Sequence, residues 1–247
     1  MSQLCVVTGG SRGIGRAVAH RMAADGFRVV ATGRDRAALD ETAATSREPL
    51  ETAVLDVSDP DAVEAFFSDL EVDVLVNNAG VAPSAPVHRT TLEDWERTMR
   101  INATGPFLCT RAVLSGMRER DRGRIITVAS MASHVGTRYT AAYTASKHAA
   151  LGFIRVVAAE VAGTGITANA VCPAYVDTPM TDASVARMEE KTGMPEEEAR
   201  GFLATMVPLG RLLAPEEVAH AVAFLASPDS GAINGQSIVL DGGGLQK

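Results

Sequence analysis

The 247-residue sequence predicts an α/β fold, a single-domain Rossmann-type doubly wound parallel sheet of about seven strands with helices on both faces. Three observations carry this reading. Short apolar runs alternate with helical stretches along the chain. The runs are continuous rather than alternating in polarity, as strands covered on both faces must be. A glycine-rich turn joins the first run to the first helix, and right-handed crossovers then wind the sheet in both directions.

The first run is Leu4–Thr8, followed by the glycine-rich turn and a helix through Asp25. Phe27–Thr32 is the second strand and Arg36–Ser46 the second helix. Thr52–Leu55 is followed by Asp56 and a helix over Pro60–Leu70. Val72–Val76 leads into Asn77-Asn78-Ala79-Gly80. Leu92 to about Arg118 reads as one long helix, Arg124–Ala129 as a strand and Tyr143–Ala162 as a helix. Ile166–Val171 and Ser237–Leu240 close the series. With no Pro/Ser linker, repeat or composition break, residues 1–247 read as one domain. Residues 178–208 stand apart, acidic and helical in pattern (Ser184–Lys191 and Pro195–Met206). Such an insertion covers a site as a lid or is a passive surface excursion.

Hydrophobic residues make up 46% and charged residues 21%, ordinary for a globular protein. The net charge of −7 disfavours a general nucleic-acid binder. No apolar run reaches the ~18 residues of a membrane span, and Met1–Val7 is too short and uncharged for a secretory signal. Three widely spaced cysteines, Cys5, Cys109 and Cys172, read as buried reduced thiols of a cytoplasmic protein. The five histidines lack metal-ligand spacing, so no metal is expected. His134 is placed at a pocket mouth or in a solvated loop. Trp95, Met180, Met188, Met194 and Met206 line a pocket or pack the insertion onto the body.

In the turn Thr8-Gly9-Gly10-Ser11-Arg12-Gly13-Ile14-Gly15, Gly9 permits the tight turn, Gly13 lets backbone approach a phosphate, and Gly15 lets the helix lie close to the sheet. The absence of a Gly-Lys-Ser/Thr ending argues against a nucleoside triphosphate loop. The second strand ends Ala31-Thr32-Gly33-Arg34. An arginine where NAD enzymes place a carboxylate, with Arg12 as a second cation, points to a 2′-phosphate and hence NADP(H). Asp56 can accept from an adenine amine or cap the helix after Pro60. Tyr143 and Lys147 are one helical turn apart, and a nearby ammonium favours phenolate. Such a tyrosine can exchange a proton with a carbonyl or alcohol oxygen. Ser130 follows a strand end, where open α/β sheets place their sites, and its hydroxyl can orient the same oxygen.

These motifs together resemble the short-chain dehydrogenase/reductase family over nearly the whole chain. Thr8-Gly9 through Gly13-Ile14-Gly15 is similar to its cofactor motif, and Asn77-Asn78-Ala79-Gly80 to its fourth-strand motif. Asn102 falls where the family carries an active-site asparagine. Ser130 and Tyr143-Thr144-Ala145-Ser146-Lys147 resemble its catalytic set, thirteen residues separating serine from tyrosine. The resemblance implies hydride transfer between nicotinamide and a carbonyl carbon, with Tyr143 as acid/base, Lys147 on the ribose, Ser130 on the substrate oxygen and Asn102 supporting a water that links Lys147 to solvent. It implies a cofactor site that adds Ser11, Ile14, Val57, Asn78, Ala79 and Gly80, with Pro173, and with Val176 and Thr178 over the nicotinamide amide. Ala174 stands where the family often has glycine and adds a methyl beside the nicotinamide.

Gly123-Arg124-Ile125-Ile126-Thr127 and Asn169-Ala170-Val171-Cys172-Pro173 resemble 3-oxoacyl thioester reductases and polyketide ketoreductases most closely. The expected activity is an NADP(H)-dependent ketone or 3-oxoacyl thioester reductase. The alternatives are a secondary-alcohol dehydrogenase of another substrate class, and an NADP(H)-sensing regulator without turnover. The resemblance also implies a homotetramer, with Leu92–Arg118 and Tyr143–Ala162 pairing across one axis and Gln236–Asp241 across another. Phe153, Val156, Val157 and Val161 are expected at the first of these interfaces. Carrier-protein reductases of the family place arginines where this chain has Asp121 and Ala162-Gly163-Thr164-Gly165, and hydroxybutyrate dehydrogenases place carboxylate-binding side chains at the positions of Ala132 and Thr140. Neither set is present, which favours a substrate with an uncharged reacting end.

Overall fold

Five consecutive buried residues, Leu-Cys-Val-Val-Thr, fit strand β1 (Leu4–Thr8) only for the middle of a sheet covered on both faces. The computed structural model, which describes residues 2–246, places it there. Around it lie β2 (Arg28–Gly33), β3 (Glu51–Val54), β4 (Val74–Asn77), β5 (Gly123–Val128), β6 (Ile166–Pro173) and β7 (Ser237–Leu240), in the order β3-β2-β1-β4-β5-β6-β7. Every pairing is parallel. The order reverses between β1 and β4, so a crevice opens at the C-terminal ends of these strands.

Alternate strand residues feed two cores. Leu4, Val6, Leu75 and Ile125 face α3 (Pro60–Phe67), α5 (Gly105–Glu119) and α6 (Ala141–Glu160). Cys5, Val7, Val76 and Ile126 face α1 (Gly13–Ala24) and α9 (Pro215–Ala226). All three cysteines are buried and free. Among the described residues no helix is long and apolar enough to cross a membrane.

Two sequence expectations are corrected. The single helix expected over Leu92–Arg118 is α4 (Leu92–Met99), a wide π-type turn over Arg100–Thr104, and α5. Pro106, lacking an N–H, starts the new helix, and Gly105 lets it sit against Val57, whose Cγ2 is 2.8 Å from where a Cβ would stand. The helix α9, not among the elements expected from the sequence, starts at Pro215 and carries Glu216 and Glu217 in its first turn, which together form a helix-start signal. Between β6 and α9 lie α7 (Pro179–Thr192) and α8 (Glu196–Thr205). They enclose a small core of Val185, Ala199 and Leu203, against which Met188 and Met194 pack, whereas Met180 and Met206 are exposed. Arg200 ties α8 to Asp177 and Asp182.

Candidate active site

The chain leaves β5 into an extended Ser130 (φ −168°), whose Oγ accepts from Ala132 N at 3.1 Å and so caps a short 3-10 turn. Helix α6 starts close by and brings Tyr143 to the same place, its hydroxyl hydrogen-bonded to Ser130. One turn on, the buried Lys147 Nζ donates to Val128 O at 2.8 Å and lies 5.8 Å from the Tyr143 ring centre. The π-type turn presents Asn102, whose Oδ1 accepts from Val81 N and whose Nδ2 donates to Val81 O and Ser146 Oγ, at 2.9–3.0 Å. A Cβ on Gly80 would stand 3.3 Å from Asn102 Oδ1, a tight approach, and 3.8 Å from Lys147 Nζ, an ordinary contact.

Both amide protons of Asn102 are committed, so its side chain clamps the segment after β4 to α6. At Tyr143 burial raises the pKa, the Ser130 hydrogen bond opposes this, and Tyr175 and Cys172 raise it further. Lys147 points its ammonium at the Val128 carbonyl, and burial lowers it to about 8, partly offset by Cys172. The Cys172 thiol is pushed up to about 11 by burial and accepts from the Ser130 backbone.

The glycine-rich turn ends beside this cluster. Gly9 and Gly13 have φ of +64° and +51°, which side-chain-bearing residues rarely adopt. A Cβ on Gly15 would stand 2.1 Å from Gly9 O, and one on Gly13 3.0 Å from the Thr178 methyl, so the turn faces the start of α7. No acidic residue or capping side chain occupies the first turn of α1, leaving its N–H groups to an anion. Ser11 and Ile14 lie on this turn, Ser11 with its carbonyl bound by Arg16. Asn78 donates from its side chain to Thr8 O and Gly9 O, and the backbone N–H groups of Asn78 and Ala79 donate to Thr8 Oγ1. Asn78 therefore shapes the cradle, and the Thr8 hydroxyl, a duty its place in the motif does not reveal, holds it. These residues fit a dinucleotide.

Arg12 pairs with Asp35, the cap of α2 (Arg36–Thr45), and Arg34 lies 3.8 Å from Asp56. Both arginines thus stand together with carboxylates at the end of β2, and Asp35 was not foreseen. Burial raises Asp56, but hydrogen bonds from Ser58 and the Arg34 charge outweigh it and leave the carboxyl below its usual range. Asp56 does not cap the following helix; Asp59 does, because its carboxylate reaches the first free N–H groups. Val57 is buried against Gly105. Pro173 ends β6, Val176 bridges to Leu213 and Thr178 caps α7. Ala174 carries no positive φ, so its methyl imposes no backbone strain. His134 is half-buried beside the 3-10 turn.

A glycine cradle at the switch point, with a Ser-Tyr-Lys cluster at the neighbouring strand end, defines a dinucleotide-dependent oxidoreductase class, and the chain belongs to the short-chain dehydrogenase/reductase family. A family model described as enoyl-(acyl carrier protein) reductase matches residues 9–244. The chain is 38% identical to an acetoacetyl-CoA reductase of Shinella zoogloeoides over 98% of each chain. It is 35% identical to a 3-oxoacyl-[acyl-carrier-protein] reductase of Vibrio cholerae, over 98% of this chain and 96% of that one. The crystal structure of an actinorhodin polyketide ketoreductase variant with NADPH superimposes with a TM-score of 0.94 at 35% identity, over 98% and 97% of the two chains.

Proposed function

We propose that this chain is an NADPH-dependent ketoreductase acting on 3-oxoacyl thioesters or neutral ketones of that shape. The observation that carries this is the Ser130–Tyr143 hydroxyl pair above a buried Lys147, at the strand ends beside the glycine cradle. The resemblance to acetoacetyl-CoA, carrier-protein and polyketide ketoreductases supports the substrate class.

Gly9, Gly13, Gly15 and the start of α1 hold the pyrophosphate, Arg12 and Arg34 the 2′-phosphate, and Lys147 the ribose hydroxyls. Bound NADPH supplies a hydride to the carbonyl carbon. Ser130 and Tyr143 bind the carbonyl oxygen between their hydroxyls. Tyr143, kept protonated by burial, gives that oxygen its proton, so the ketone becomes a secondary alcohol. The Lys147 ammonium stabilises the phenolate left behind. Asn102 is a positioning residue, fixing Val81 and Ser146 around Lys147.

The helices α7 and α8 act as a lid. Arg187 of α7 reaches across to Ala82 O and Ser84 Oγ at 3.1 and 3.3 Å, which supports a closing contact over the cleft. The protein works in the cytoplasm, consistent with its buried, unpaired thiols, as a homotetramer. The exposed faces of Phe107 and Val156 on α5 and α6 favour such pairing, whereas Val157 and Val161 are buried within the protomer and do not contribute.

The test follows NADPH absorbance with acetoacetyl-CoA, a β-keto ester and a simple ketone. Turnover that prefers NADPH over NADH is expected. Absence of turnover with every ketone, or a preference for NADH, overturns the reading.

A further inference from the structure

The sheet order β4-β5-β6 puts the end of β5, with Ser130, between the segments that follow β4 and β6. A side chain that joins those two segments therefore spans the mouth of the cleft above the reacting ketone. Arg187 of α7 does so. Its Nε donates to Ser84 Oγ at 3.3 Å and its Nη2 to Ala82 O at 3.1 Å, and Nη2 also donates to Ser184 Oγ at 3.1 Å. Nη1 has no acceptor among the described residues. The guanidinium is thus fixed by uncharged oxygens, and no carboxylate offsets its charge. The other cations of this region are all paired: Lys191 with Glu190, Arg200 with Asp177 and Asp182, and Arg211 with Glu217. Glu189 lies two residues on and so not on the Arg187 face. Arg89 and Arg138, exposed on the segments after β4 and β5, likewise lack a carboxylate partner among the described residues. Asp94 lines the notch beside Ser84 and Tyr139, so the rim is not wholly basic.

We propose that Arg187 binds the phosphate of a pantetheine arm, with the neutral keto end of the same thioester at Ser130 and Tyr143. This inference deepens the ketoreductase reading above and rests on it. A guanidinium presents planar N–H donors that match phosphate oxygens. One already held by other bonds loses little side-chain freedom when the anion arrives. The carboxylate of a short keto acid sits two carbons from its ketone and cannot reach the rim while the ketone is at Ser130. A phosphate separated from the thioester by a whole pantetheine can. Coenzyme A and the prosthetic group of a carrier protein share that phosphate, and the substrates below separate them.

The experiment measures kcat/KM for acetoacetyl-CoA, an acetoacetyl-carrier protein and acetoacetyl-N-acetylcysteamine, a thioester without phosphate. It compares wild type with Arg187→Gln, which keeps a donor for Ala82 O and removes the charge. The ratio of a phosphate-bearing thioester to the neutral one should fall about tenfold, the low end for a hydrogen bond to a charged group, because the rim is open to solvent. The loss should sit in KM, since the phosphate bond is the same in ground and transition states. A lid that is only loosened lowers all three substrates alike and leaves the ratio unchanged. A fall for acetoacetyl-CoA alone assigns the phosphate to coenzyme A, and a fall for the carrier substrate alone assigns it to the carrier. Independently of any variant, 4′-phosphopantetheine should inhibit wild-type reduction of the neutral thioester at lower concentration than pantetheine does, and raised salt should narrow the difference. Ratios unchanged for both phosphate-bearing substrates, or equal inhibition by pantetheine and its phosphate, overturn this assignment alone. Wild type that reduces none of the three thioesters overturns the ketoreductase reading and this inference with it.

Discussion

At Lys147 burial lowers the ammonium to about 8, while at Tyr143 burial raises the phenol. The Tyr143 shift favours the protonated phenol a reductase needs, and the Lys147 shift, though it weakens the ammonium, still leaves the lysine mostly charged at neutral pH. The sign of the pH dependence follows. As pH rises through about 8 the Lys147 charge is lost, and the emerging phenolate loses its stabilisation. The kcat/KM for reduction, which reports the free enzyme, should fall with a midpoint near this value, measured with ketone and NADPH both well below saturation; a flat profile to pH 9.5 would remove Lys147 from this role. The stability of the ligand-free protein should move the other way. Its folded pKa lies below the unfolded one, so the unfolded chain binds more protons above about pH 8, and this group makes the fold more stable as pH rises from there toward 10.5. Replacing Tyr143 by Phe should cut kcat by roughly 10²–10⁴, the usual scale of general acid catalysis, with NADPH binding retained. At the cofactor's other end, Arg34→Ala should weaken NADPH by roughly tenfold and NADH hardly at all. The effect is set at the low end because Arg34 is exposed and already shares the Asp56 charge. A similar loss for both nucleotides would show that Arg34 does not read the 2′-phosphate. Residue types in order along the chain were enough to find Ser130, Tyr143 and Lys147. The structural duties of Thr8, Asp35 and Asn78 were not legible, because they are made by hydrogen bonds between segments distant in sequence.

The break between α4 and α5 is where an element, rather than a residue, builds the site. Apolar periodicity runs through Leu92–Arg118 and hides it, since a π-type turn keeps the chain helical and shifts only the register. The shift turns Asn102 toward Val81 and Ser146, and Gly105 then packs on Val57. Pro106 was visible in the sequence, but a proline near a helix start does not reveal whether the preceding segment stops or swells. A methyl at Gly105 meets Val57 Cγ2 at 2.8 Å, so Gly105→Ala overpacks this seam. Overpacking costs about 1–3 kcal/mol, and each kcal/mol lowers Tm by about 2–4 °C in a chain of this size. A thermal melt showing a loss of several degrees, together with a lower kcat, is expected. An unchanged melt would mean that the seam relaxes freely. The α1 turn is stricter. Gly15→Ala sets a Cβ against a backbone oxygen that cannot rotate away, so NADPH binding should collapse in that variant while Gly152→Ala, with open space around it, leaves binding as it was.

For the whole molecule, the doubly wound parallel sheet was legible because continuous apolar runs and a switch-point turn admit few windings. The argument from charge around the substrate was legible only in part. Asp121 and residues 162–165 precede β5 and β6 and so lie at the N-terminal ends of these strands, while Ser130 lies past the C-terminal end of β5. The Asp121 carboxylate accepts from Gly165 N at 2.8 Å and fastens two strand entrances. It says nothing of this protomer's cleft, a consequence of its place before the strands that the argument from residue type alone did not use. What survives stands at the cleft itself. Ala132, buried beside Ser130, and Thr140, at the start of α6, offer no cation where a free carboxylate two carbons from the ketone would need one. An uncompensated carboxylate there pays a desolvation cost that a thioester or ester carbonyl does not. The net charge of −7 adds long-range repulsion toward small anions, screened within about 8–10 Å at ordinary salt. Acetoacetyl-CoA carries its phosphates on a long arm outside the cleft, so only its neutral end meets these residues. Its kcat/KM, and that of a neutral β-keto ester, should exceed that of acetoacetate by at least about tenfold, a difference of about 1.4 kcal/mol. Raising salt should narrow the gap only slightly, because the local desolvation cost is not screened. Acetoacetate reduced as well as the ester at low salt would show that a cation outside Ala132 and Thr140 compensates it, and Ala132→His would then give no further gain on acetoacetate.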